Sequence, residues 1–255
     1  MQAYVSSEIK KNIAEITFGT PKSNSLPSEI LEKLAQTILV ESTKEEVKII
    51  LLKSYGDKAF CAGASFDELL EINDLETSKK FFGGFAKVLN AMRTCGKIVV
   101  VRVQGKTTGG GVGIACAADY CFATKEASLA LPELNLGIGP FVIGPYVERK
   151  IGKSQFTAMA IDADFRSANW AEQHNIYHSV SPTIAEMDAE VAQFLEKLAS
   201  RSSDALALIK KVSWEGTEHF EKLMPERILM SASLLLEDST KANIEKIKQN
   251  LGKKN

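Results

Sequence analysis

The chain has 255 residues, 45% hydrophobic and 25% charged, a composition that excludes disordered, collagen-like and solenoid classes and suits one large α/β core or two small ones. Lysine and arginine total 31 against 32 aspartate and glutamate, a formal charge of -1, so no broad electropositive face is available for a nucleic-acid backbone. Apolar runs such as residues 49–52 and 98–101 fall far short of the roughly 20 residues a bilayer requires, so no membrane span is expected.

The opening MQAYVSSEIKKNIAEITF alternates like strand rather than joining a basic patch to an apolar block. It predicts a hairpin through Ile13, Ile16 and Phe18, no secretory leader, and a cytoplasmic protein. After Pro27, with Ser28 as expected N-cap, Ile30, Leu31, Leu34, Ala35 and Ile38 recur at helical spacing. Strand 47–52 follows, then the segment KAFCAGASF at 58–66, then a second helix carrying Phe81, Phe82, Phe85, Val88, Leu89 and Met92. Strand 98–103 leads into GKTTGGGVG at 105–113, and a further strand covers 120–123. Alternating apolar strands and helices predict largely parallel pairing and an α/β class. From Ile184 the periodicity is helical only, over 184–199, 204–214 and 220–236. The expected organisation is a core domain at 1–183 and a helical region at 184–255 that packs on the core or on a neighbouring subunit.

Cys61, Cys95, Cys116 and Cys121 form no CxxC pair, and His174, His178 and His219 are remote from them in sequence, so reduced core thiols and no metal site are expected. His174 and His178 have the spacing of a helical metal pair but lack a third ligand, and read as surface or helix-end residues.

The two glycine-bearing segments each follow a strand and open a helix. The first turn of a helix carries unsatisfied N–H groups and a partial positive charge, so two such turns facing each other can hold one developing negative oxygen. Ala62, Gly63, Ala64 and the glycines at 109–111 would let an extended ligand lie against main chain. A dinucleotide fingerprint is the rival reading, with Glu133 at the ribose position. It fails because its third glycine would be Ile114 or Cys116. A purely structural reading, in which the glycines only let a helix approach a sheet, stays open on these residues alone.

KAFCAGASFDELL, VQGKTTGGGVGIACAADYCFAT and LALPELNLGIGP, in that order, resemble the three signature blocks of the crotonase, or enoyl-CoA hydratase/isomerase, superfamily. The likeness runs from NSLP at 24–27 to the helical C-terminus. It implies a crotonase-like (ClpP/crotonase) spiral of ββα units with a C-terminal trimerisation region, assembled as a homotrimer or a dimer of trimers. It also implies an acyl-CoA substrate, with CoA as part of that substrate and no other cofactor or metal. By resemblance, the amides of Ala64 and Gly110 form an oxyanion hole, each donor contributing about 3 to 4 kcal/mol toward a thioester enolate. Lys58 would approach the CoA phosphates, and Ala62, Gly63, Ser65 and Phe66 would line the pantetheine and adenine path. Ser25, Thr108, Gly109, Leu136 and Gly137 complete the implied substrate contacts.

Hydratases of the family carry one Glu shortly after the glycine run and a second after the proline of the third block. Here the first position is Gly113 and the second is Glu133. One carboxylate favours single-base chemistry, as in Δ3,Δ2-enoyl-CoA isomerases. The alternatives are an enoyl-CoA hydratase, including methylglutaconyl-CoA or 3-hydroxyacyl-CoA dehydratase types, and, from another class, a non-catalytic acyl-CoA-binding protein. Glu133 is expected among Leu129, Leu131, Leu134 and Leu136 with its pKa raised toward neutrality. Ser65 reads as the cap of a helix starting near Phe66, Asp119 as structural, and Asp67, Glu68 and Glu71 as a solvated face. Pocket depth is expected to depend on residues 69–74, Phe141 and the tail.

Overall fold

A computed structural model describes residues 1–252. The chain opens on the predicted hairpin, β1 (Tyr4–Lys10) and β2 (Ile13–Gly19), turned by Lys11 and Asn12 at φ 49° and 67°, the left-handed values of a tight two-residue hairpin turn. Next come α1 (Ser28–Ser42), β3 (Ile49–Ser54), α2 (Phe66–Glu71), α3 (Leu75–Thr94) and β4 (Ile98–Val103). The middle of the chain holds β5 (Thr107–Thr108), α4 (Gly110–Ala117), β6 (Tyr120–Thr124), β7 (Leu129–Ala130) and α5 (Glu133–Leu136). It continues through α6 (Gly144–Asp162), α7 (Ala168–Gln173) and β8 (Ser179–Ser181) to α8 (Ile184–Ala199), α9 (Ser203–Ser213), α10 (Phe220–Leu235) and α11 (Asp238–Gly252).

The main sheet has the order β1-β2-β3-β4-β6-β8, and every pairing after the hairpin is parallel. Parallel strands buried on both faces require continuous apolar runs, which IILLKS and IVVVRV supply. The pairs Ile50–Val99 and Leu52–Val101 belong to the core shared with α1, α3 and α4. The pairs Ile49–Ile98 and Leu51–Val100 belong to a second core closed by Met187, Val191 and Leu195 of α8 and Leu206 of α9. Asp119 fastens α9 to this arrangement, accepting Val99 N, Lys210 Nζ and Trp214 Nε1 at 2.7, 2.7 and 2.8 Å, in keeping with its structural reading.

A second, shorter ladder sets the site. Leu26 bridges Ala64, Cys61 bridges Thr107, and β5 pairs with β7. These rungs are too short for a sequence period to reveal, and β8 and the kinked α6, with Gly152 at φ 75°, escape it too. Ser28, expected as the N-cap of α1, is instead its first residue, and Pro27 occupies the cap. Pro27 offers no side-chain acceptor, so Glu68 of α2 supplies one, taking Ser28 N at 2.7 Å and the Ser28 hydroxyl as well. Glu68 therefore leaves the solvated face expected for it. His174 caps the end of α7 and stacks on Trp170, as its helix-end reading requires.

Candidate active site

Three chain segments leave the short ladder at the same level. Ala64 lies on its own rung, Gly109 and Gly110 follow β5, and Glu133 follows β7. Gly109 caps α4 at φ 53°, ψ -121°, a backbone conformation open to glycine and strained for other residues. That turn presents Gly110 N beside the first segment, 3.8 Å from where a Cβ on Gly63 would stand. A Cβ on Gly109 would stand 3.0 Å from Glu133 Oε1 and 4.0 Å from Gly63 Cα. Neither Ala64 N nor Gly110 N donates a hydrogen bond to another described residue. Two free amide donors and a carboxylate thus converge where an added methyl group has almost no room.

They open on a cavity of about 190 Å³. Phe81, Phe82 and Phe85 of α3 form one wall, Leu136 and Ile138 a second, and residues 140–143 a third. The Phe85 ring lies against bare Gly110, where a Cβ would come within 2.3 Å of it. Among the lining residues Glu133 carries the only ionisable side chain and Ser231 of α10 the only hydroxyl. Glu133 Oε2 is buried without a hydrogen-bond partner. Burial pushes its pKa up to about 7, and a backbone hydrogen bond only partly opposes the shift.

The position at which the resemblance places the first Glu of hydratases is sealed. Gly113 is buried inside α4, and a Cβ there would meet Ile143 Cγ2 at 2.7 Å and Leu89 Cδ1 at 3.2 Å. Among the described residues no second carboxylate lines the cavity to share a water with Glu133.

Of the candidate site residues singled out in the sequence, Ala62, Ala64, Phe66, Gly109, Gly110, Glu133 and Leu136 line the cavity, as do Leu69 and Phe141, which were expected to set its depth. Gly63 and Thr108 are not among its lining residues and belong to the short ladder, Gly63 O accepting Leu26 N at 2.8 Å and Thr108 N donating to Cys61 O at 2.9 Å. Ser65 caps α2 through Glu68 N, as expected, and Gly137 ends α5 at φ 94°. Ser25 belongs to the turn in which its N–H reaches Lys22 O. Lys58 is exposed and lines a separate cleft with Lys106 and Gln104. The aromatic wall is the part the sequence left unassigned. FFGGF reads as helix core by period alone, although paired glycines beside three phenylalanines mark a face that admits close approach.

The Enoyl-CoA hydratase/isomerase family profile matches residues 8–246, and the chain belongs to that family, the crotonase superfamily. It is 31% identical over 200 residues to the mitochondrial enoyl-CoA hydratase of Pongo abelii, covering 77% of this chain and 67% of that one. It is 23% identical over 224 residues to a trans-2-decenoyl-acyl-carrier-protein isomerase of Streptococcus mutans, covering 84% of each. The crystal structure of an enoyl-CoA hydratase from Bacillus halodurans superposes with a TM-score of 0.89 at 20% identity, over 95% of this chain and 99% of that chain. The fold is therefore crotonase-like, and the chain is an enzyme of the enoyl-CoA hydratase/isomerase type. No helix among the described residues is long and apolar enough to cross a membrane.

Proposed function

We propose that this enzyme moves a proton on an enoyl-CoA thioester with Glu133 as its single acid/base, in the manner of a Δ3,Δ2-enoyl-CoA isomerase. The amides of Ala64 and Gly110 would hold the thioester oxygen. Glu133 would take a proton from C2, leaving an enolate whose oxygen the two donors stabilise, and return it at C4. The observation that carries this reading is that Glu133 is, among the described residues, the only titratable side chain lining the cavity and has a pKa of about 7, suited to taking and returning a proton at neutral pH. Ala62 and Phe66 would line the pantetheine path, and exposed Lys58 would approach CoA phosphates from the neighbouring cleft.

Hydration is the second reading, since relatives of this chain are named hydratases more often than isomerases. Adding water across the double bond is served by two acid/base groups acting on one water, and the loss of one such group costs about 10²- to 10⁴-fold. The sealed Gly113 position weighs against it.

The deciding experiment incubates the protein in deuterated water with 3-enoyl-CoA, 2-enoyl-CoA and 3-methylglutaconyl-CoA. Deuterium at C2 or C4 without a hydroxyacyl product supports isomerisation, a hydroxyacyl product replaces it with hydration, and acyl-CoA binding without exchange makes the chain a binding protein. We further propose a trimer or dimer of trimers. Leu208, Ile209 and Val212 of α9, exposed at 61, 56 and 61%, offer an apolar face for it, and a monomer by light scattering overturns that part.

A further inference from the structure

The acyl cavity ends at a side chain that also bounds a second, larger space. Phe141 lines both the cavity of about 190 Å³ that holds Glu133 and an open cleft of about 690 Å³ on its far side. Among the described residues no other lines both. The same helix runs along the two spaces. Ser231 of α10 lines the inner cavity, while Arg227, Leu223 and Phe220 line the cleft, and their separations of four, four and three positions put all of them on one helical face. The Phe141 ring is seated on bare backbone, because a Cβ on Gly139 would come within 2.4 Å of it. A ligand growing away from Glu133 along α10 therefore meets an aromatic ring and, past it, a cleft floored by Gly144, Pro145 and Phe156 of α6.

We infer that Phe141 is the residue that sets acyl chain length, closing a short apolar cavity off from a cleft that would otherwise receive the distal part of a longer acyl chain. The inner cavity is below the several hundred Å³ usual for a site that encloses a whole drug-sized ligand. Within it an alkyl chain gains affinity with each methylene buried, up to about fourfold per group, until it reaches the ring. Beyond that point further methylenes gain nothing unless the ring is removed. The cleft offers these methylenes apolar surface at Phe156, Phe220 and Leu223, while Glu148, Arg149, Lys153 and Glu215 also line it and Arg227 stands one turn of α10 from Ser231.

This inference rests on the acyl-CoA reading above, so its test uses binding of saturated acyl-CoA thioesters, which requires no turnover. Calorimetry on the whole chain with thioesters of increasing length is expected to show affinity rising and then levelling or falling in the wild type. Phe141→Ala should keep rising, changing the long-to-short affinity ratio at least tenfold. Leu223→Trp, which fills the cleft, should cancel that gain in the Phe141→Ala background and leave the wild-type profile unmoved. If Phe141→Ala does not fold, Phe141→Leu is expected to shift the profile the same way by a smaller factor. An unchanged profile in a folded Phe141 variant, or a wild-type profile that Leu223→Trp shortens, overturns the ruler. Binding without hydrogen exchange at the thioester α-carbon overturns the proposed chemistry and leaves the ruler to be judged on the binding profiles. Absence of all acyl-CoA binding overturns both.

Discussion

Glu133 Oε1 stands 3.0 Å from the point at which a side chain on Gly109 would begin. The same glycine holds φ 53° to aim the first turn of α4 at the cavity, so one residue without a Cβ serves both the donor and the carboxylate. Gly109→Ala is expected to strain the turn by about 1 to 3 kcal/mol and to displace the carboxylate. Exchange of thioester α-hydrogen should fall by about 10²-fold or more, since small misplacements of reacting groups cost that much. Exchange measured by mass spectrometry in deuterated water checks this, and undiminished exchange contradicts the shared role of Gly109.

The pKa of Glu133 makes two predictions of opposite sign. As a base it must be ionised, so kcat/KM should rise with pH through about 7 and then level. For stability, the folded state holds a proton that the unfolded chain, with its carboxyl near 4.5, has already lost between about pH 4.5 and 7. Wild-type stability therefore falls as pH rises through that window, by about 1.4 kcal/mol for each pKa unit of elevation. Glu133→Gln should abolish turnover while melting higher than wild type at pH 8, the advantage disappearing below about pH 4.5. Equal melting temperatures across this range would show that the carboxylate is not buried in solution.

Gly113 carries a separate prediction about the missing acid. Gly113→Glu alone should give no hydratase activity and should destabilise the protein, because its Cβ meets Ile143 at 2.7 Å and Leu89 at 3.2 Å in a closed core. Combining it with Ile143→Gly clears the nearer obstruction and is expected to restore folding relative to the single variant. Thermal melting separates the two, and a single variant as stable as wild type contradicts the sealing argument.

The long elements were legible because their residues follow a period. α1, α3 and the strands IILLKS and IVVVRV bury whole faces, and burial writes itself into apolar spacing. The converging segments were legible for another reason. The glycine run is a local signature of close backbone approach, Glu133 was singled out by the family resemblance, and seven of the candidate site residues, together with Phe141, do line the cavity. What was not legible depends on long-range contact. Glu68 leaves α2's solvent face for Ser28, 40 positions away, and Ser231 reaches the cavity where α10 packs on α3, a contact at which Ser78 Oγ donates to Ala232 O at 3.1 Å. Neither interaction leaves a periodic trace. The rungs at Thr107–Thr108 and Leu129–Ala130 are too short to have one.

Lys210 and Asp119 form an ion pair with side chains only 2% and 10% exposed, and Lys210 Nζ also donates to Met92 O at 2.7 Å. Removing one partner strands the other charge in the interior, which typically costs about 3 to 5 kcal/mol. Lys210→Met is therefore expected to lower the melting temperature more than any single exposed-pair variant such as Lys10→Met, whose partner Glu8 is 65% exposed. Chemical denaturation of the two variants side by side provides the comparison. A Lys210→Met protein as stable as wild type would mean that Val99 N and Trp214 Nε1 suffice to satisfy Asp119.

Thr240 of α11 is 1% exposed, and its hydroxyl donates to Gly137 O at 3.2 Å, the carbonyl that ends the short helix carrying Glu133. Gly137 sits at φ 94° with no room for a side chain, since a Cβ would lie 2.7 Å from Thr240 Oγ1. Ile244, one turn further on, packs in the cluster that holds Leu69, Phe81 and Ile138. The last helix therefore holds the end of α5, and in the proposed chemistry Thr240 would act only by positioning Glu133. Loss of one buried hydrogen bond is worth about 0.5 to 1.5 kcal/mol, up to about tenfold in rate if α5 loosens. Thr240→Val is thus expected to lower kcat by roughly threefold to tenfold with KM nearly unchanged, while Thr240→Ser retains the hydroxyl and wild-type kcat. A Thr240→Val enzyme that differs only in melting temperature would reduce the contact to a structural one, and a Thr240→Ser enzyme as slow as Thr240→Val would assign the effect to the lost methyl packing.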